Sequence, residues 1–221
     1  MLVTHLGHSC LLVEIAERRL LVDPGTFTPG FEELTDIDAV LVTHQHPDHL
    51  DQERLPYLLR RNTGARLLSD PETAAQLREH RFDVDELPSR LLWKFGDVEV
   101  RPHLGAHAVI HADMPRIGNT GLTLSAPGGM SLFHPGDALD IDPGSVDVVA
   151  VPVNAPWCAM KESVDFVRRL APSMFIPIHD GLLAPRGRQL YVGQIDRLAG
   201  EEVSLCDLAG RGPVDLTCCR S

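Results

Sequence analysis

The segment Thr43-His44-Gln45-His46-Pro47-Asp48-His49-Leu50 places three imidazoles and one carboxylate within six residues. Neutral imidazole is a good ligand for zinc and other first-row ions, and a carboxylate adds the negative charge that a dication favours. The cluster directly follows Ala39-Val40-Leu41-Val42, an apolar run that reads as a buried strand, so it falls where a strand gives way to a loop. Pro47 interrupts a regular ladder and biases His46 toward extended backbone. On extended chain His44 and His46, two residues apart, point the same way. Asp48 and His49 then face a second point on the turn. Any one of these histidines read alone is a solvated loop residue; together at this spacing they read as a metal centre.

The elements that must position this cluster are legible on either side of it. Residues 2–6, 9–16 and 18–24 read as three short strands joined by tight turns, an antiparallel meander closed by Asp23-Pro24-Gly25. A loop over 26–36 leads into the metal strand. Leu50 to Arg61 reads as a helix, followed by a strand at 65–69 and a second helix that starts at Asp70-Pro71 and runs to about His80. From Leu91 the texture changes to hairpins, with strands at 91–95, 98–103, 121–125, 130–134 and 146–153. A helix over 161–170, a strand at 175–178, a helix over 189–198 and a strand at 203–208 complete the chain. By pattern alone this is an α/β chain in two halves.

The His-x-His-x-Asp-His pattern at 44–49 resembles the signature of the metallo-β-lactamase superfamily. That resemblance implies three further ligands downstream: a His, an Asp after Gly, and a His. His107, Asp137 in His134-Pro135-Gly136-Asp137 and His179 in Ile176-Pro177-Ile178-His179 match in that order, each at the end of an extended run. His103 and His111, four residues to either side, are the alternatives to His107. Carried over, one ion takes His44, His46 and His107, a second takes Asp48, His49 and His179, and Asp137 bridges them. The implied cofactors are two divalent metal ions per chain, zinc first, with Mn2+ or Fe2+ as alternatives. The implied fold is a four-layer αββα sandwich, a single domain over 1–221. The implied activity is metal-dependent hydrolysis by a metal-bridging hydroxide, with Asp48 as the catalytic residue that orients the nucleophile and carries its proton. Asp23, ending a strand in Asp-Pro, is expected beneath the metal loop. His8, His111 and Trp157 are expected around the pocket.

The segments Gly7-His8-Ser9, Leu21-Val22-Asp23-Pro24 and Asn119-Thr120-Gly121, with the two ligand motifs just quoted, resemble the branch that includes L-ascorbate-6-phosphate lactonase. A small ester, lactone or phosphoester substrate is the implication, and Lys161, Arg186 and Arg188 are candidates to meet an anionic one. The competing functions are an RNA or DNA phosphodiesterase on the same site, and a non-catalytic metal-binding protein.

Composition narrows these. The 221 residues carry 31 acidic and 20 basic side chains, a formal net charge of -11, which disfavours nucleic acid as a partner. No apolar run is long enough for a membrane span and the N-terminus lacks a signal-peptide pattern, so a cytoplasmic location and a small-molecule substrate are expected. A homo-oligomer stays open. The five cysteines form no Cys-x-x-Cys pair, which points to reduced thiols, with Cys218-Cys219 a frayed tail or a site of metal or redox capture.

Overall fold

The computed structural model describes residues 1–88 and 91–219. In chain order the elements are β1 (Leu2–Gly7), β2 (Cys10–Ile15), β3 (Arg18–Val22), β4 (Ala39–Val42), α1 (Leu55–Arg61), β5 (Arg66–Ser69), α2 (Pro71–Glu79) and β6 (Asp85–Glu86). Then come β7 (Trp93–Phe95), β8 (Val98–Ala106), β9 (Gly118–Ser125), β10 (Leu132–His134), β11 (Val148–Pro152), α3 (Met160–Leu170), β12 (Met174–Ile178), α4 (Pro185–Ala199), β13 (Ser204–Leu205) and β14 (Val214–Asp215).

They form two seven-stranded mixed sheets, ordered β14-β1-β2-β3-β4-β5-β6 and β13-β12-β11-β10-β9-β8-β7. Both follow one plan: an antiparallel meander first, then parallel strands reached through crossovers. Strand alternation explains the layering. Ala39 and Leu41 of β4 face the second sheet, as do Val148 and Ala150 of β11 from the other side. Val40 and Val42 instead meet Leu55, Leu58, Ala74 and Leu77 of α1 and α2. Val149 and Val151 meet Val164, Phe166, Val192 and Ile195 of α3 and α4. Burial on both faces is why these parallel strands read as continuous apolar runs. The layers are helix, sheet, sheet, helix.

Three features differ from the sequence expectations. The helix expected from Leu50 begins only at Leu55. Asp51 takes the N–H groups of Glu53 and Arg54 on its own carboxylate, a local turn that competes with helix, and Pro56 fits the first helical turn. The strand expected at 98–103 runs on to Ala106, and His107 lies just beyond it. The cysteines are not all reduced, because Cys206 and Cys219 form a disulfide. The segment expected to fray is instead anchored by that bond, by β14 pairing with β1, and by the Leu216 N–H on the Met1 carbonyl. Cys10, Cys158 and Cys218 remain free thiols.

The two halves are stitched at the end of β4. Thr120 N–H of β9 donates to the Thr43 carbonyl at 2.9 Å. Glu72 of α2 accepts from Gly118 N–H at 2.6 Å and from Gln45 Nε2 at 3.0 Å. Asp70 caps α2, both its oxygens accepting the Thr73 N–H at 3.1 Å. Burial outweighs this bonding and pushes the Asp70 carboxyl up to about 6. A carboxyl raised on folding contributes stability that is full below its unfolded pKa of about 4 and is lost as pH rises through about 6. Asparagine caps as well as aspartate and carries no charge. Asp70→Asn is therefore expected to raise stability at pH 7 by about 1–3 kcal/mol, a gain that fades toward zero by about pH 3.5. Urea unfolding midpoints at the two pH values check this, and an equal effect at both would refute it.

Candidate metal centre

The metal loop is built by compression. Gly25, after β3, lies so close to the loop that a Cβ there would sit 1.9 Å from the Asp48 carbonyl oxygen. Thr26 N–H donates to the Pro47 carbonyl at 2.8 Å, and Asp51 N–H to that of Pro24 at 3.0 Å. On the second sheet Gly136 adopts φ 60°, and a Cβ there would meet Asn119 Oδ1 at 2.3 Å. This turn presents Asp137, whose N–H is held by Asn119 Oδ1 at 2.9 Å. His8, Asp23 and His179 are non-glycine residues at positive φ (53°, 50° and 61°), a conformation that costs on the order of 1–2 kcal/mol each.

These loops bring together all seven residues of the expected ligand set. The ligand atoms of His44, His46, His107 and Asp137 lie within 4.8 Å of one another, as do those of His8, Asp48, His49 and His179. Asp137 sits between the groups. Its Oδ2 is 3.2 Å from His107 Nε2, 3.3 Å from His179 Nε2 and 3.8 Å from His44 Nε2, while its Oδ1 is 3.1 Å from His49 Nε2. Asp48 Oδ2 faces His8 at 3.0 Å, His179 at 3.5 Å and His49 at 4.0 Å.

Hydrogen-bond bookkeeping fixes the tautomers, because a carbonyl or carboxylate oxygen can only accept and a backbone N–H can only donate. His107 Nδ1–H donates to the Ala108 carbonyl at 2.6 Å, His179 Nδ1–H to that of Asn154 at 2.7 Å, and His49 Nδ1–H to Asp23 Oδ2 at 2.7 Å. Thr43 Oγ1 spends its proton on Asp23 Oδ2 at 2.7 Å, so it accepts from His44 Nδ1–H at 3.0 Å. In their neutral form all four rings therefore direct an Nε2 lone pair into the cluster, that of His107 toward Asp137 Oδ2 at 3.2 Å. There His44 Nε2, His49 Nε2, His179 Nε2 and Asp137 Oδ1 are buried with no hydrogen-bond partner. Buried polar atoms left unpartnered are costly, and lone pairs facing lone pairs more so. Divalent cations held by the two groups would satisfy them all, so the donor set fits the metal that its residue types suggest.

The same field sets the protonation of the metal-free cluster. Against the cost of burial, Asp137 and Asp23 push the His49 pKa well above its ordinary value. Burial, reinforced by His49, drives that of His44 well below. Asp137 is fully ionised: burial opposes this, but His49 and His179 hold its carboxyl well below the usual carboxylate range.

Of the supporting residues, Asp23 is completely buried and accepts from Thr43 N–H at 2.8 Å besides its two bonds above. Trp157 donates its indole N–H to Asp137 Oδ2 at 2.9 Å, its ring standing beside those of His107 and His179. A cavity of about 450 Å3 opens past it, lined by Val109, Leu139, Phe166, Arg116 and Arg169 among others. His8 lies inside the centre, against Asp48. His111 does not join it: it is exposed and accepts the Asp113 N–H. His103 bonds to Thr123 on β9 instead. Arg188 is occupied by Asp180 and Asp207. Sequence reasoning missed Thr43, Asn119 and Gly181. Thr43 stands inside the motif and Asn119 inside one of the segments that carry the family resemblance, so both positions were marked without their bonds being foreseeable.

Nitrogen-15 NMR of the metal-free protein, labelled at histidine, tests the tautomers. His44, His107 and His179 are expected to carry the proton on Nδ1 when neutral. His8 and His134, whose Nδ1 atoms accept from Gly181 N–H and Gly136 N–H, are expected to carry it on Nε2. A cluster ring with the opposite pattern would contradict the ligand geometry.

The sequence matches the family described as Beta-lactamase superfamily domain over residues 2–179. Protein Rv0786c of Mycobacterium tuberculosis is 46% identical over 202 residues, covering 90% of this chain and 92% of that protein. A UPF0173 metal-dependent hydrolase of Alkaliphilus metalliredigens is 27% identical over 193 residues, covering 81% and 85%. Among solved structures, Igni18, a novel metallo hydrolase from the archaeon Ignicoccus hospitalis, shares the fold with a TM-score of 0.72 at 18% identity, covering 97% and 98%.

Proposed function

The chain belongs to the β-lactamase superfamily domain family, and on that premise we propose that residues 1–221 form one domain that hydrolyses a small ester, lactone or phosphoester at a two-cation centre. One observation carries this reading: buried, unpartnered ligand atoms converge on Asp137 from both groups of side chains. His44, His46 and His107 would hold one ion, Asp48, His49 and His179 the other, with Asp137 shared. Bound divalent ions supply Lewis acidity, which lowers the pKa of water toward neutrality and polarises the substrate oxygen. Zinc suits the imidazole-rich set, and manganese or iron suit it with its two carboxylates.

The protein's own groups then divide the work. Asp48 is the more open of the two carboxylates, 23% exposed against 2% for Asp137, so it is the one that can meet water or substrate. Burial opposes its ionisation, but the His8 N–H and the nearby His49 and His179 hold it ionised at neutral pH. In that form it can accept a hydrogen bond from an attacking water and orient it toward the substrate. Trp157 stands as a wall between the centre and the cavity and gives the non-reacting part of a substrate a flat surface.

The lactonase-like motifs around His8, Asp23, Asn119 and His134 support a lactone or a related ester. A phosphate handle would have to avoid Arg188, which Asp180 and Asp207 already bind. The excess of acids supports a small molecule over nucleic acid. Among the described residues no helix is long and apolar enough to cross a membrane.

Elemental mass spectrometry of the purified protein beside Asp137→Ala tests the centre. The expected result is about two divalent ions per chain, reduced in the variant, with hydrolysis of lactone, ester or phosphoester probes abolished alongside. Protein that holds no metal, even after zinc or manganese is supplied, would overturn the hydrolase reading.

A further inference from the structure

We propose that His8 is a positioning residue for Asp48 rather than a metal ligand, so that it controls one of the two cation positions and leaves the other alone. The inference rests on the two-cation reading above. By distance His8 passes for a ligand, since its ring nitrogen groups with those of His49 and His179 and with Asp48 within 4.8 Å. Proton bookkeeping says otherwise. Gly181 N–H points at His8 Nδ1 at 3.1 Å, and a backbone N–H can only donate. Nδ1 therefore carries the lone pair and Nε2 the proton. That Nε2–H donates to Asp48 Oδ2 at 3.0 Å and has no lone pair to offer an ion. The rings of His44, His49, His107 and His179 differ, each carrying a proton on Nδ1.

The ring cannot turn over cheaply. Turned over, it would face Gly181 N–H and Asp48 with carbon atoms and lose both bonds. Its side chain is completely buried, with the His179 ring 4.0 Å and the Phe27 ring 5.0 Å away, centroid to centroid. The backbone of His8 is held independently: its carbonyl accepts from His179 N–H and from His5 Nε2–H, both at 2.8 Å. The main chain of residue 8 thus supports the His179 loop of the second sheet, while its side chain reaches Asp48 on the loop of the first. Changing the side chain leaves the main-chain bonds in place.

Asp48 needs such a support. It projects from a loop, it is partly exposed, and among the described residues His8 makes the one side-chain hydrogen bond to it. A charge-assisted bond of this kind fixes the carboxylate's orientation and withdraws part of its charge, which sets how it approaches an ion. His44, His46 and His107 share no such contact with His8, so their ion is expected to be indifferent to it.

Cobalt(II) titrations of the full chain, followed by visible absorption and by competition with a chelating dye, test this on wild type, His8→Ala, His8→Gln and Asp48→Ala. Wild type binding fewer than two equivalents would defeat the two-cation reading and not the assignment of His8. With two bound, His8→Ala is expected to weaken one equivalent about 10- to 100-fold and leave the other unchanged, as Asp48→Ala does more severely. Gln carries an acceptor oxygen for Gly181 N–H and an N–H for Asp48, so His8→Gln is expected to restore most of the affinity. Three results would overturn the proposal. One is unchanged binding in His8→Ala. Another is joint loss of both equivalents, which marks a general structural role. The third is a His8→Gln variant as weak as His8→Ala with a changed cobalt spectrum, which marks a lost ligand.

Discussion

The buried carboxylate of Asp23 is the constraint on which the centre depends. It ends the first meander at a left-handed backbone position and, among the described residues, has no guanidinium or ammonium partner; donors from the metal loop satisfy it instead. A buried negative charge is tolerable only when hydrogen bonds replace its hydration. The bonds that make Asp23 tolerable are the same ones that set the Thr43 backbone, the His49 tautomer and, through the Thr43 hydroxyl, the His44 tautomer. Stabilising the fold and aiming the ligands are here one set of interactions. The second sheet works differently: backbone carbonyls of Ala108 and Asn154 orient His107 and His179, at no cost in buried charge.

Much of this was legible in the sequence because it is local or periodic. Four of the candidate ligand positions fall within six residues, and the strand before them alternates so that each residue has a fixed layer. The remaining candidates stand at ends of extended runs, where parallel or meandering strands deliver side chains to one edge of a sheet. Their partition between two ions came from family likeness, and the central position of Asp137 is compatible with it.

What escaped the sequence is what depends on contacts between distant segments. His8 carries nothing in its neighbourhood to say which of its nitrogens is protonated; that is decided by the N–H of Gly181, 173 positions away. The pairing of Cys206 with Cys219 requires β13 and β14, the outer strands of different sheets, to be brought together. The late start of α1 turns on whether Asp51 bonds its own backbone or continues the helix, a choice of a few tenths to about 1 kcal/mol that tertiary contacts settle. His111, similar to His107 in composition and context, diverges because β8 stops at Ala106 and the chain beyond leads out to solvent.

The division of the ligands between the sheets bears on the order of events during folding. The first sheet contributes His44, His46, Asp48 and His49, and the second contributes His107, Asp137 and His179. Neither half alone presents all the side chains of either candidate group. On the two-ion reading proposed above, tight binding would wait until the sheets have docked, and the ions would not nucleate either half. They would act late, as a lock on a chain that has already collapsed, and the rate at which metal is captured during refolding would time the docking of the two sheets rather than the formation of either one.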